Sequence, residues 1–329
     1  MALSATVLAG TAGTAGALGA PPPARIRTAG GVRFEPVQPG PDGLRVGGAS
    51  YRGAVEVRRS GRALAVVNEV GFEDYVRGID EVPPSWPAAA LQAQAIAART
   101  YAAHKAADRG DTPWRAVGAD ICATPRCQVY NGLEAERKAS GYGWLAAVDA
   151  TAGRVLLEGG RPIMASYSST ANGPRAMSQN GALDMANQGR SAAEILESYY
   201  GLRPTHAPGR LPATIRVALE TGTGAVRVSA SKPFRVVGEA GGELAAAVTG
   251  DWTVVADGDG VALVPPEGHD PESGVPEAPE PAATVVRRPG RVISAAAPLP
   301  SEAPWTVAAA ALVAGAGLAT ITLGRRRGA

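Results

Sequence analysis

The sequence is poor in the side chains that build disulfide scaffolds, metal centres and histidine-dependent active sites. Its 329 residues include only 2 cysteines and 3 histidines, which excludes a fold built on disulfides. Two of the histidines, His206 and His269, lie in connecting segments, so a Ser–His–Asp triad is excluded. The 32 basic and 30 acidic residues give a net charge of +2, and no basic patch has interleaved aromatics. Nucleic acid is therefore excluded as a partner.

The first residues are short of charge as well. Residues 1–20 are small and apolar and end in A-x-A-like sites, but the first basic residue is Arg25. This pattern resembles a secretory signal peptide without its basic start. We expect a signal-like leader at 1–30 and an exported protein. An upstream start and a flexible Ala/Gly tail remain the alternatives.

The other end has the features of a membrane anchor. Residues 266–304 are proline-rich and predict an extended linker. Residues 307–323 are uncharged and mostly apolar, and three arginines follow at 325–327. Because about 17–25 such residues span a bilayer and cytoplasmic flanks are basic, we predict a transmembrane anchor at 305–324 and a cytoplasmic tail at 325–329. A buried core helix and a degenerate sortase signal at 299–303 are alternatives.

Between the ends, the pattern predicts an α+β fold. Short alternating strands fill residues 31–70 and helices dominate the part up to 205. Six more short strands with Gly-rich turns occupy 211–265. The prediction is a mixed α/β domain at 31–205 with a β-rich lead-in, then a separate small all-β module at 211–265, and finally the transmembrane helix.

The stretch 75–102 organises this domain. It leads through a proline turn into an alanine-rich helix that we predict from Ala88 to about 109, with Ser85 as the cap. Four small or apolar residues form one stripe along it, while four polar ones face outward or into a cleft; these are Leu91, Ala95, Ala98 and Ala102, against Gln92, Arg99, His104 and Lys105. Glu81 stands just before the helix, where an acid can simply complement the helix dipole.

Four motifs resemble the stage II sporulation protein D and amidase-enhancer family (SpoIID/LytB domain). They read EDYVRGIDEVP, SWPAAALQAQAIAARTYA, CQVYNGLEAE and AMSQNGALDMANQGRSAAEILESYY, and the likeness covers about residues 51–201. The resemblance implies a mixed α/β domain that acts on peptidoglycan outside the membrane. The best-understood members are lytic transglycosylases, which cleave glycan strands stripped of stem peptides. The implied partners are such strands, a cell-wall amidase and, through the C-terminal helix, the membrane; no cofactor is expected.

The resemblance assigns the catalytic role to Glu81, in the E-x-P turn Glu81–Val82–Pro83. In this chemistry the C6 hydroxyl of the muramic sugar attacks its own ring and forms a 1,6-anhydro end. No water is needed, so a single carboxyl group can act first as acid and then as base. Glu81 would need a pKa raised by burial, whereas a helix N-terminus would lower it.

The other predicted site residues surround this acid in the motifs. The predicted substrate-binding set comprises Arg99, Gln128, Tyr130, Tyr167, Ser169 and Thr170. Tyr130 has a plain packed aromatic as its alternative, and the Ser/Thr cluster an ordinary strand end. Cys122 and Cys127 predict a short-loop disulfide in an exported chain. Some relatives bind zinc at this position, but the segment offers no histidine and has Arg126 instead, so no metal site is predicted.

One departure from the family pattern bears on activity. In relatives a long segment, ending in a run of the G-H-G-V-G type, separates the YSSTANG-like turn from the next helix. Here only Pro174, Arg175 and Ala176 stand between the turn and Met177. The alternative function is therefore a peptidoglycan-binding or amidase-enhancing protein whose catalytic groove is reduced.

Overall fold

Alternation of apolar and polar side chains builds a β-sandwich from strands at both ends of the folded chain. A computed structural model describes residues 25–108 and 110–267. The first strands are β1 (Ile26–Ala29), β2 (Gly31–Pro36), β3 (Leu44–Val46), β4 (Ala49–Tyr51), β5 (Ala54–Ser60) and β6 (Ala63–Gly71).

The middle of the chain holds the helices and several two- or three-residue strands. The helices are α1 (Phe72–Arg77), α2 (Ala88–Ala107), α3 (Leu133–Ala139), α4 (Gly143–Ala150), α5 (Gln179–Asn187) and α6 (Ala192–Tyr200). The short strands are β7 (Ile121–Cys122), β8 (Arg154–Val155), β9 (Leu157–Glu158), β10 (Arg161–Pro162), β11 (Ser166–Ser168), β12 (Ala176–Ser178) and β13 (Thr205–His206).

The last strands return to the sandwich. They are β14 (Thr214–Thr223), β15 (Ala225–Ser229), β16 (Phe234–Gly238), β17 (Glu243–Val248), β18 (Trp252–Asp257) and β19 (Gly260–Val264). Among the described residues one sheet has the order β17-β16-β2-β5-β6-β14-β7 and the other β1-β19-β18-β15-β3-β4. Phe34, Phe234 and Trp252 are fully buried in the core between the sheets.

The predicted separate module at 211–265 is therefore not a sheet of its own. Its six strands exist, but β14 pairs with β6, β16 with β2, β15 with β3 and β19 with β1. The alternating pattern predicts a strand and its buried face, but not which edge the strand joins. The leading and trailing segments together enclose one core.

The α+β class is confirmed, and α2 lies at the centre of its helical part. The predicted stripe from Leu91 to Ala102 is buried against the cluster that contains α1 and α4. Its opposite side, with Ala93, Ile96 and Ala97, is buried against α5 and α6. Alanine on both faces of α2 lets the neighbouring helices approach closely. The predicted stripe therefore describes only one of the two buried faces of this helix.

Several boundaries differ from the prediction. The N-cap of α2 is Pro87 and no side chain caps this helix, so Ser85 does not have its predicted role. Proline disfavours helical geometry in the residue before it, which delays the helix to Ala88. The strands β10 and β11 each belong to a two-stranded sheet. Ser191 and Glu194 form a capping box at the start of α6.

The predicted anchor at 305–324, residues 268–304 of the predicted linker 266–304, and residues 1–24 of the predicted leader 1–30 lie outside the described residues. Within the described ranges, no helix combines the length and the apolar character needed to cross a membrane.

Arg99 fastens α2 to its surroundings through an ion pair in which the arginine is buried and Glu73 is partly exposed. Its side chain is 0% exposed, and its guanidinium donates to both carboxylate oxygens of Glu73 at 2.8–3.1 Å. The remaining N–H groups reach Val148 O, Thr151 Oγ1 and Arg154 O at 3.2–3.4 Å. The predicted substrate-binding role of Arg99 is thus wrong, because no part of the side chain reaches solvent. Glu73 is its structural partner.

This pair generates a stability prediction. Glu73→Gln leaves the buried Arg99 charge without its counter-ion. Because Glu73 is 39% exposed, we expect a cost of about 2–3 kcal/mol, below the ~3–5 kcal/mol of a pair with both partners buried. We expect that decrease in the free energy of unfolding, measured by denaturant titration. The control is Glu134→Gln, which breaks the exposed Arg137–Glu134 pair and should cost less than about 1 kcal/mol. Equal effects of the two variants would contradict the structural role of Arg99.

Candidate active site

Two short backbone segments, 78–81 and 129–131, fix the position of Glu81. Ile79 and Tyr130 form an antiparallel bridge, Asp80 N donates to Val129 O at 3.0 Å, and Asn131 N donates to Gly78 O at 2.9 Å. The segments approach so closely at Gly78 that a Cβ there would lie 2.5 Å from the Tyr130 ring. Glycine is therefore required at this position.

The Glu81 side chain continues this ladder. Val129 N donates to Glu81 Oε1 at 3.0 Å, so the carboxylate takes the place that a backbone carbonyl would have in a longer strand pair. Its other oxygen, Oε2, accepts a short hydrogen bond from the Tyr167 hydroxyl. These two bonds hold the carboxyl group in one orientation while it remains partly exposed.

A buried glutamine determines which way the Tyr167 hydroxyl points. Gln128 Oε1 accepts from the Tyr75 hydroxyl at 2.9 Å, and Gln128 Nε2 donates to Ala98 O at 3.1 Å and to Tyr167 Oη at 2.7 Å. Because the Tyr167 oxygen accepts from Gln128, its own hydrogen is free to point at Glu81. A chain of hydrogen bonds thus runs from Tyr75 through Gln128 and Tyr167 to the acid.

The surroundings of Glu81 favour its protonated form. Burial raises the pKa of the Glu81 carboxyl above its usual range, and the negative charge of Asp80 raises it further. The hydrogen bonds from Tyr167 and Val129 oppose this shift, because they stabilise the carboxylate, but the net direction is upward. The hydrogen bonds of Glu81 go to these two groups and not to the first amides of α2, as complementing the helix dipole would require.

Asp80 is held away from the acid by its own partners. Lys138 Nζ lies 2.6 Å from Asp80 Oδ1, and Asn131 Nδ2 donates to Asp80 Oδ2 at 3.1 Å. The Asp80 carboxylate is thus bound to Lys138 and Asn131 and makes no hydrogen bond to Glu81, which it affects only through its negative charge.

Three of the predicted substrate-binding residues, Tyr167, Gln128 and Tyr130, have different roles around Glu81. Tyr167 contacts Glu81 directly, whereas Gln128 is fully buried behind it and acts by orienting the tyrosine. Tyr130 is 2% exposed, packs against the rings of Tyr51 and Tyr75 and donates to Asn68 Oδ1. Burial of Gln128 and Tyr130 excludes direct contact with a substrate and corrects both assignments.

Ser169 and Thr170 are exposed where the chain leaves β11, next to Tyr167. The backbone of Ser169 is anchored, since its carbonyl accepts from Asn180 N and from Ser178 Oγ. β11 and β12 run parallel and are joined by the short 169–175 connection that replaces the longer family segment. The exposed side chains of Ser169 and Thr170 can therefore contact a ligand next to Tyr167.

The structure joins Cys122 and Cys127, whose Cα atoms are 5.5 Å apart, in a disulfide. The loop that it closes runs directly into Gln128 and Val129, the two residues that hold the acid and its tyrosine. Within the described residues, no group of three or more His, Cys, Asp or Glu side chains is placed to bind a metal ion.

The sequence did not mark Tyr101 as a site residue. Its ring lies 6.4 Å from that of Tyr167, and burial together with the Glu81 charge raises the pKa of Tyr101. The signal was present in the helical period: Tyr101 follows Ala98, whose carbonyl binds Gln128, by one turn and therefore lies on the same side of α2.

Comparison with known proteins now identifies this region. A family model described as Stage II sporulation protein (SpoIID) matches residues 60–157, the part that contains Glu81, α2 and the disulfide loop. An uncharacterised protein of Brachyspira hyodysenteriae is 34% identical over 144 residues, which are 42% of this chain and 36% of that relative. The match thus spans little more than a third of the relative's length. Residues 60–157 thus carry a SpoIID domain, which confirms the family resemblance that the motifs predicted.

Proposed function

We propose that this protein cleaves the glycan strands of peptidoglycan as a lytic transglycosylase, with Glu81 as the general acid and base. The SpoIID domain points to a sporulation or cell-wall function that involves peptidoglycan. The observation that carries the finer proposal is the state of Glu81: a partly exposed carboxyl group, fixed by two hydrogen bonds, with a raised pKa. A general acid near neutral pH needs those three properties.

The proposed reaction uses one carboxyl group twice, first as the acid and then as the base. Protonated Glu81 gives its proton to the glycosidic oxygen as the C1–O bond breaks and positive charge develops at C1. The C6 hydroxyl of the same muramic ring then attacks C1, and the Glu81 carboxylate accepts its proton. One C–O bond is broken and one is formed, no water is consumed, and Glu81 is protonated again for the next cycle.

Tyr167 and Gln128 are positioning residues in this proposal. Tyr167 holds Glu81 Oε2, and Gln128 keeps the tyrosine hydrogen directed at the acid. Once the proton has left, the same tyrosine and Val129 N–H stabilise the carboxylate that must act as the base. Ser169 and Thr170, which are exposed next to Tyr167, bind sugar hydroxyls.

The proposal extends to location and partners. We propose an exported protein that is anchored in the cell membrane by residues 305–324, with the SpoIID domain facing the wall. A cell-wall amidase that removes stem peptides would supply the substrate. The apolar run and the three following arginines of the sequence support the anchor.

The direct test is digestion of purified, peptide-free glycan strands by the wild type and Glu81→Gln, with products separated and weighed by mass spectrometry. Glutamine keeps the size and the hydrogen bond to Val129 N but cannot exchange the proton. Loss of general acid–base catalysis lowers rates about 10²–10⁴-fold, so 1,6-anhydro ends should nearly disappear. Absence of such ends with the wild type, while the strands still bind, would instead support the peptidoglycan-binding or amidase-enhancing alternative.

A pH profile tests the environment of Glu81. Because the cleavage starts from the protonated acid, the rate should fall as pH rises through the raised pKa of Glu81. Tyr167→Phe removes a bond that stabilises the carboxylate, so this falling limb should move to higher pH. Asp80→Asn removes a repulsive charge and should move it to lower pH. If the falling limbs of the two variants moved in the same direction, or did not move, Glu81 would not be the titrating acid.

A further inference from the structure

A cavity lies beside the disulfide loop. Its volume is about 570 Å³, within the size range of small-ligand pockets. Its walls combine apolar side chains with three polar ones, Ser60, Thr124 and Arg126. The apolar residues that the argument uses are Pro113, Trp114, Val117 and Leu219. None of them takes part in the hydrogen bonds that hold Glu81.

Arg126 is the charged group of this cavity. It is exposed in the middle of the Cys122–Cys127 loop, and no ion pair or hydrogen bond reaches its side chain from residues 25–108 or 110–267. Neighbouring arginines behave differently: Arg58 pairs with Glu239, and Arg115 with Asp120. A guanidinium left without a counter-ion beside a cavity is suited to a carboxylate, which it can bind through two parallel hydrogen bonds.

Trp114 supplies a flat apolar surface next to this charge. It is half-buried and packs against the cluster around Val67 and Val117. Among the described residues, its indole N–H has no acceptor, so one hydrogen-bond donor remains for a ligand. A ring with an apolar face and a free polar edge matches a pyranose, whose axial C–H groups stack while its hydroxyls bond at the side.

The cavity floor has an irregular strand. The register of β14 against β6 shifts between Ala218 and Glu220, so Leu219 is an extra residue that lines the cavity. Such bulges re-aim a side chain and are frequent beside functional sites. The pairing of β14 with β7 at Cys122 then joins this floor to the disulfide loop.

We propose that this cavity, the Trp114–Arg126 site, binds a carboxylate-bearing sugar unit of the glycan strand. Arg126 binds the carboxylate and Trp114 stacks on the ring. The inference rests on the proposed function for the identity of the glycan. The disulfide loop contributes Thr124 and Arg126 to the cavity and runs on into Gln128 and Val129 at the acid, so the two places are joined by one short segment of the chain. The muramic sugar has a free carboxylate only when its stem peptide has been removed, and the site would therefore favour peptide-free strands.

The test measures binding with the full chain carrying Glu81→Gln, so that the strands stay intact. Calorimetry would compare three probes: peptide-free glycan strands, peptide-bearing strands, and N-acetylglucosamine oligomers, which have no carboxylate. Arg126→Gln should weaken binding of peptide-free strands about tenfold, the usual scale for a hydrogen bond to a charged group, and leave the oligomers unaffected. Trp114→Phe, which keeps an aromatic ring, should weaken both modestly. Arg45→Gln, an exposed arginine on β3, is the matched control for loss of charge.

Equal binding by Arg126→Gln and Arg45→Gln would overturn the site, as would loss of oligomer binding equal to that of the strands. Failure of the site and failure of the proposed function are distinguishable. If the wild type forms anhydro ends but Arg126→Gln binds normally, only the Trp114–Arg126 site fails. If Arg126-dependent binding is found without any cleavage, the site stands and the transglycosylase proposal fails.

Discussion

The pairing of backbone segments 78–81 and 129–131 sets the geometry on which the proposed site depends. A carboxyl group on a free loop would be solvated and ionised at neutral pH. Here the segment before α2 is joined by backbone hydrogen bonds to the segment after the disulfide. The carboxylate of Glu81 adds one more hydrogen bond between them, because it accepts from Val129 N–H. The acid is thereby carried into partial burial without losing its orientation. Gly78 is needed because any side chain there would collide with Tyr130.

The rest of the domain keeps those two segments in place. α2 is buried on both sides, and the Arg99–Glu73 pair ties it to α1 and to the backbone around residues 148–154. Its Ala98 carbonyl receives Gln128, which links the helix to the loop that holds the acid. The sandwich supports the same loop from the other side, since β7 extends the seven-stranded sheet next to Cys122. The raised pKa of Glu81 is thus a property of several elements packed together.

Local sequence patterns predicted much of this structure and some of the site. Strand alternation, the alanine-rich helix, the α6 capping box and the disulfide all follow from neighbouring residues, and the E-x-P motif indicated Glu81. Contacts between residues that are distant in the chain could not be predicted from these local patterns. Arg99 looks like a surface residue in a helix of small side chains, and only tertiary packing shows that Glu73 neutralises it in a buried position. Gln128 and Tyr130 belong to a motif but are buried. A motif alone does not distinguish residues that contact a substrate from residues that support the site from the interior. The trailing strands show the same limit: their alternation was readable, but their sheet partners lie some 150–200 residues earlier.

The central claim is that one carboxyl group breaks the glycan bond without water. Digestion of peptide-free strands in water enriched with heavy oxygen tests it most directly, with mass spectrometry of the newly formed ends. Intramolecular attack by the C6 hydroxyl predicts 1,6-anhydro ends that carry no heavy oxygen and that require Glu81. Ends that incorporate the label would show that water is the nucleophile. Ends formed equally well by Glu81→Gln would show that another group is the acid, and either result would contradict the account.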